Sequence, residues 1–327
     1  VPDQTSASLP DRVLVTGAAG FIGRAAVTRL REHGCQVVGV DVEADPDPQV
    51  VKGSTTDPAS WEHLLDGVGA VVHTAAIVSN AASHAEAWQV NVLGTTRVIE
   101  AMRRAGVPRL LHLSSIMAFG FDFPDGVDEG YPARVTGYSY PDTRVNSEAV
   151  ALTAHVRGDV DVTIVRPGDV IGPRSVWVVE PLRLAPRGLL ILPADGAGLL
   201  SPIYLDNLVD GLILALAGPQ TSGEIITLTD GYVTACRDYF GRVAAMAGGR
   251  VRTLPSPLAV GLIHSAGAVL RRVGRDSELS AASALMLSRT GGYSTAKARR
   301  LLGYVPRVGY DDAMARIEAW VRAEGLV

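Results

Sequence analysis

Cysteine is almost missing from this chain: Cys35 and Cys236 are the only two among 327 residues, far apart and without a C-x-x-C partner. That scarcity excludes a disulfide framework and a dithiol redox motif, and it predicts a reduced, cytoplasmic setting. A basic excess is missing too. Against 34 Asp and Glu stand 30 Lys and Arg, for a formal net charge of −4 and a pI near 6.0, so no nucleic-acid surface is expected. Long hydrophobic runs are absent as well. The most apolar windows, Leu208–Ala217 and Leu258–Leu270, are too short for a bilayer, so no stable membrane insertion is expected. The seven histidines lack metal-ligand spacing, and no metal is predicted. Val1–Pro10 is polar and proline-bounded and reads as a loose tail, without the apolar stretch of a signal peptide.

What is present is material for a large core, 47% hydrophobic, enough for one large domain or two lobes. Residues 13 to 23, Val-Leu-Val-Thr-Gly-Ala-Ala-Gly-Phe-Ile-Gly, run an apolar strand into a glycine-punctuated turn and a helix start. Gly17 permits the sharp turn, Gly20 lets the backbone approach a pyrophosphate, and Gly23 allows close packing of helix on strand. The helix N-terminus then offers free N–H groups to the phosphates. Strand-like and helix-like segments alternate onward: strands at 12–16, 36–41, 70–73, 109–114 and 161–166, helices at 20–33, 58–65, 84–105 and 143–157. Such alternation predicts an α/β fold, a doubly wound parallel sheet. Residues 172–202 read as irregular, Asp206–Ala217 as a helix, Glu224–Thr229 as a returning strand, and 232–327 as mainly helical.

Asp41 falls at the end of the second strand, 18 residues after Gly23. A carboxylate there accepts ribose hydroxyls and repels a 2′-phosphate, which favours NAD over NADP. Glu43, Asp45 and Asp47 read as a solvated acidic turn, and no Arg or Lys lies between Asp41 and Val51. His73, in His73-Thr74-Ala75-Ala76, reads as a buried, hydrogen-bonded core histidine rather than a catalyst.

Three further stretches carry chemistry: Ser114-Ser115-Ile116-Met117-Ala118-Phe119-Gly120, Tyr140-Pro141-Asp142-Thr143-Arg144, and Arg166-Pro167-Gly168-Asp169-Val170-Ile171-Gly172-Pro173. With the glycine turn, 73–76 and Asn91-Val92-Leu93-Gly94-Thr95, they resemble the extended short-chain dehydrogenase/reductase family over nearly the whole chain. The resemblance implies a Rossmann domain over 1–170, completed by 206–230, and a smaller, mainly helical substrate lobe from 171–205 and 231–327. It implies NAD contacts at Gly17, Ala19, Gly20, Phe21, Ile22, Gly23, Asp41, Val42, Ser54, Thr55, Thr74, Ala75, Ala76, Asn91, Leu113, Tyr140, Arg144, Pro167, Gly168 and Val170. It also implies catalysis by Ser115, Tyr140 and Arg144, the last standing where the family usually has Lys. A tyrosine, with a reference pKa of about 10, needs a nearby cation to serve as a base near neutrality. Arginine supplies that charge permanently, through a bulkier planar fork. Tyr138 is set aside as the base because Asp142 follows it by four residues, and Glu148 is expected to hold Arg144 by an i,i+4 ion pair. Phe119 reads as packing.

Ile116 and Met117 replace the acidic pair of sugar 4,6-dehydratases, and Asp169 stands where nucleotide-sugar epimerases carry Asn. An anion there suits a diphosphate only if Arg174, Arg183 or Arg187 offsets it; their plainer reading is a solvated helix face. The apolar stretch 176–192, with Trp177 at the expected cleft mouth, and the segments 201–209 and 293–306 resemble the hydroxysteroid and sterol-carboxylate dehydrogenase branch. Substrate contacts are expected at Ser115, Met117, Tyr140 and Trp177. Leu258–Val273 reads as a packing helix, a lid or a membrane-surface contact. Three functions stay open: alcohol–ketone oxidoreduction on an apolar molecule, nucleotide-sugar epimerisation, and non-catalytic NAD sensing. A homodimer through 84–105 and 143–157 is expected from the family's usual assembly.

Overall fold

The computed structural model describes residues 8–79, 82–272 and 278–326, so most of the N-terminal tail and Val273 lie outside the described residues. Strands β1 (Arg12–Thr16), β2 (Gln36–Asp41), β3 (Val50–Lys52), β4 (Ala70–His73), β5 (Arg109–Leu113) and β6 (Asp161–Pro167) come first. Short strands follow: β7 (Asp169–Ile171), β8 (Ile191–Leu192), β9 (Leu199–Leu200) and β10 (Pro202–Tyr204). Then come β11 (Ile225–Leu228), β12 (Thr234–Ala235) and β13 (Arg252–Thr253). Seven of them form one parallel sheet in the order β11-β6-β5-β4-β1-β2-β3. The order reverses between β1 and β4, and a crevice opens at the carboxyl ends of the strands beside such a switch point.

Period-two alternation along each strand feeds two cores. On one face Val13, Val15, Val72, Leu111 and Val165 pack against α1 (Phe21–Glu32) and, later in the chain, residues 205–217. On the other, Leu14, Val71, Leu110, Val162 and Ile164 pack against Trp61 and two helices. These are α3 (Gly94–Ala105) and α4 (Ser139–Val156), with Val98, Met102, Ala151 and Ala154 buried between, while the short α2 (His84–Trp88) lies against α4. Helices α5 (Val176–Leu184) and α6 (Leu205–Ala217) precede α7 (Cys236–Met246), α8 (Ser256–Arg272), α9 (Ala281–Met286), α10 (Ala296–Leu302) and α11 (Tyr310–Ala323). A separate core joins α5, α7 and α11 through Val178, Leu182, Tyr239, Val243, Met314 and Ile317. The chain's late segment crosses back: Ala298, Leu302 and Tyr304 join the sheet's core with α6.

Several elements depart from expectation: β3 is an unanticipated strand, and the helix expected over 58–65 is two 3₁₀ turns, Pro58–Ser60 and Glu62–Leu65. The helix expected over 84–105 is interrupted by a π-helical turn at Gln89–Leu93, the kind of bulge that often marks a functional site. Residues 172–202 are not wholly irregular, since α5 forms there despite Pro181 and its β-branched run. Helix α4 begins at Ser139, ahead of the expected Thr143. Pro141 fits its first turn, where a missing N–H costs no intrahelical bond. Among the described residues no helix is long and apolar enough to cross a membrane. Helix α8 buries Ala259 and Ile263 against Ala284 and leaves Leu258, Leu262 and Val269 exposed, so it is a packing helix with one open face.

Candidate active site

The glycine turn is built as its spacing predicts. Gly17 sits at φ +72°, and a Cβ there would lie 2.8 Å from Thr74 Oγ1. A Cβ on Gly23 would come within 2.0 Å of the Gly17 carbonyl oxygen, so helix and turn touch only because both are glycine. Thr74 Oγ1 donates to the Thr16 carbonyl and pins the β4 edge, with Ala75 and Ala76 following, to the turn. No side chain caps α1 and no acidic residue occupies its first turn, which leaves its N-terminal N–H groups and positive dipole end for an anion. Asp41 Oδ2 accepts from the Ala19 N–H at 2.9 Å and Oδ1 from the Glu43 N–H at 3.0 Å, so the carboxylate is fixed beside the turn with lone pairs to spare. Phe21 and Ile22 open α1, and Val42 is exposed at the end of β2. Ser54 and Thr55 follow β3, with Ser54 Oγ hydrogen-bonded to Thr56 Oγ1 and Thr55 buried against Gly94. These residues fit a dinucleotide.

The π-helical turn does its work through Asn91. Its side chain accepts from the Ile77 N–H, donates to the Ile77 carbonyl, and donates to Thr143 Oγ1 at 3.0 Å, tying the segment after β4 to the start of α4. Beneath lies His73, buried and hydrogen-bonded to Thr16 Oγ1 at 2.6 Å and Thr95 Oγ1 at 3.0 Å, as a core histidine should be. Burial, with Arg144 nearby, pushes His73 down to about 3, and the same causes plus His73 itself hold His112, stacked 5.3 Å away, well below the usual imidazole range. Both rings are neutral near pH 7.

Ser115 ends the segment after β5 and accepts from the Met117 N–H at 3.1 Å. That bond occupies an acceptor position and leaves the hydroxyl hydrogen to donate elsewhere. Tyr140 and Arg144 stand one turn apart on α4, and the Arg144 guanidinium lies 5.1 Å from the centroid of the Tyr140 ring. Arg144 is 4% exposed; its Nη1 donates to the Leu113 carbonyl at 3.1 Å, and its buried Nε has no hydrogen-bond partner among the described residues. An unsatisfied donor at this place is what a ribose hydroxyl could fill. Tyr138 instead meets Phe121 edge-on, and Asp142 accepts from the Thr136 and Gly137 N–H groups.

One expected ion pair is corrected, and the plainer reading of three arginines as solvated holds. Glu148 does not hold Arg144. Its carboxylate takes Arg166 Nε at 2.8 Å and Nη2 at 2.6 Å, and accepts from Ser114 Oγ at 2.5 Å. Arg166 in turn lies 4.5 Å over the Phe119 ring. Both arginines are buried, but Arg144 turns to the Leu113 carbonyl and the Tyr140 ring, which leaves Glu148 to Arg166. Asp169 is not offset by Arg174, Arg183 or Arg187, which are surface side chains near Glu324, Glu180 and the Arg183 carbonyl. It is held by Arg289 Nη2 at 2.8 and 2.9 Å and by the Ser201 N–H at 2.8 Å, all buried. Sequence reading missed Arg289 because 120 residues separate the partners. Gly168 follows Pro167 where a Cβ would meet the Ser201 carbonyl at 2.3 Å, and Val170 packs on the sheet's core. Met117 is buried in the turn after Ser115. Trp177 packs 6.0 Å from Phe240, with its carbonyl accepting from Tyr239 OH, so its ring belongs to the lobe core rather than to an open cleft mouth.

The model of the NAD-dependent epimerase/dehydratase family matches residues 13–228, and the chain belongs to that family. It is an NAD-dependent enzyme of the extended short-chain dehydrogenase/reductase type. It is similar to a 2-alkyl-3-oxoalkanoate reductase of Stenotrophomonas maltophilia, 28% identical over 94% of this chain and 98% of that protein. A 3-beta-hydroxysteroid dehydrogenase of Mycolicibacterium neoaurum is 29% identical over 93% of this chain and 89% of its own. Among solved structures, MoeE5 in complex with UDP-glucuronic acid and NAD superposes with a TM-score of 0.78 at 26% identity, covering 96% of this chain and 99% of that one.

Proposed function

We propose that the enzyme interconverts a secondary alcohol and a ketone on an apolar small molecule, steroid-like or polyketide-like, with Tyr140 as acid/base. The observation that carries this reading is the buried Arg144 guanidinium set 5.1 Å over the Tyr140 ring, one turn of α4 away and next to the Ser115 segment. Bound NAD would accept or supply the hydride. In reduction the Tyr140 hydroxyl gives its proton to the ketone oxygen, and in oxidation the phenolate takes it back. Ser115 donates its free hydroxyl hydrogen to that oxygen as negative charge develops there. Arg144 balances the phenolate without ever exchanging a proton, and its unpaired Nε suits a ribose hydroxyl. The named relatives that act on oxoalkanoates and hydroxysteroids favour an apolar substrate.

A nucleotide-sugar epimerase would use the same three side chains, and the UDP-sugar complex of a similar fold keeps that reading in view. Against it, Asp169 is buried and fully engaged by Arg289 and the Ser201 N–H, so the position where nucleotide-sugar epimerases carry Asn offers no free amide donor to a sugar nucleotide. The test is NADH oxidation across a panel of apolar ketones, 3-oxoacids and 3-oxosteroids, beside binding of UDP-sugars. Turnover of an apolar ketone supports the proposal. Tight UDP-sugar binding, or tight NADH binding without turnover anywhere on the panel, overturns it in favour of an epimerase or a non-catalytic sensor.

A further inference from the structure

The acidic turn after β2 is more than a solvated loop. Asp45 is 3% exposed at its side chain, and its Oδ2 takes Arg24 Nη2 at 2.5 Å while its Oδ1 takes the Asp47 N–H at 2.9 Å. Arg24 stands in the first turn of α1, and the same Nη2 reaches the Ala19 carbonyl at 3.2 Å. Ala19 is also the residue whose N–H binds Asp41. A guanidinium and the ribose-binding carboxylate therefore flank one residue of the glycine turn. Arg24 remains half exposed on its other side, within reach of a ligand if released.

A mobile arginine beside this turn is the usual means of holding a 2′-phosphate, through a charge-assisted, bidentate pair. Here the guanidinium is already taken, its charge balanced by Asp45, while Asp41 keeps its negative charge on the other side of Ala19. The neighbouring pair of Arg31 with Asp47 and Gln49 fastens the loop independently, so the fold of the turn does not hang on Asp45 alone. We propose that Asp45 is a specificity-determining residue for the cofactor: by occupying Arg24 it denies NADP a phosphate ligand, and Asp41 and Asp45 together enforce NAD. The inference rests on the cofactor site and not on the substrate reading.

The test is calorimetric binding of NAD and NADP to the wild-type chain, Asp45→Ala, Asp45→Asn and the double variant Arg24→Ala/Asp45→Ala. Asp45→Ala is expected to tighten NADP about tenfold or more and to leave NAD within about threefold. Asp45→Asn keeps an acceptor for the Asp47 N–H and should give a smaller gain. The double variant should lose the gain altogether. An unchanged ratio of the two affinities in Asp45→Ala, including a parallel fall of both, overturns the proposal, and so does a gain that survives removal of Arg24. Because binding is read directly, these outcomes are independent of whether Tyr140 catalyses anything.

Discussion

Glu148 shows how one carboxylate can organise a site it does not enter. It sits on α4 one turn beyond Arg144, and it joins Ser114 on the β5 segment to Arg166 on β6. Replacing it with Gln leaves Arg166 buried without a counter-charge, and the expected cost is about 3–5 kcal/mol in urea unfolding. A cost below about 1 kcal/mol would show that Arg166 finds compensation elsewhere. Asp230 gives a pH-dependent counterpart. Its partners are neutral, the Tyr204 N–H and Asn207 Nδ2, and burial pushes its carboxyl up to about 7. The native state then holds this proton between about pH 4 and 7 while the unfolded chain has lost it. Stability from this group is therefore full below pH 4 and falls as pH rises toward 7. Thermal unfolding across that range should show the decline in the wild type and a flatter profile in Asp230→Asn. At this scale the buried, hydrogen-bonded His73 was legible in the sequence, and Tyr140 and Arg144, picked out by the family resemblance, do lie together one helical turn apart. The partners of Glu148 and Asp169 were not, because spacing along one helix cannot weigh a buried arginine arriving from another strand.

The elements that place the site obey backbone rules, which is why the glycine turn could be read from eleven residues. Gly23 is the clearest case: its hydrogen occupies space that a methyl would share with the Gly17 carbonyl. Gly23→Ala should force α1 away from the turn, cost about 1–3 kcal/mol of stability and weaken NAD binding, as read by calorimetry. Full NAD affinity in that variant would mean that the helix is not seated as described. The π-helical turn at Gln89–Leu93 and the early start of α4 escaped the sequence reading for one reason. Both lie where side chains bridge elements, Asn91 to Ile77 and Thr143 and Ser139 to the Ala82 carbonyl, rather than on an apolar period. Helix α5 escaped for another, since Pro181 and its run of β-branched residues mask a helix that the lobe core stabilises.

At the scale of the molecule, alternation of strands and helices carried the parallel sheet, whereas the return of Ala298, Leu302 and Tyr304 to the sheet's core left no local sign. Helices α3 and α4 cover one face of the sheet and leave Glu100, Ala149, Thr153 and Val156 outward. The chain is expected to sediment as a dimer through this face, and Ala149→Glu to shift it to monomer; a monomeric wild type would contradict the assembly. The Asp169–Arg289 pair joins the end of the sheet to the segment after α9 across 120 residues. The proposed catalysis turns on proton transfer by one phenol. Its most direct test is Tyr140→Phe, with NADH binding and ketone reduction measured on the same preparation. Retained NADH affinity with turnover lowered about a hundredfold to ten-thousandfold is the predicted result; turnover at the wild-type rate would contradict it.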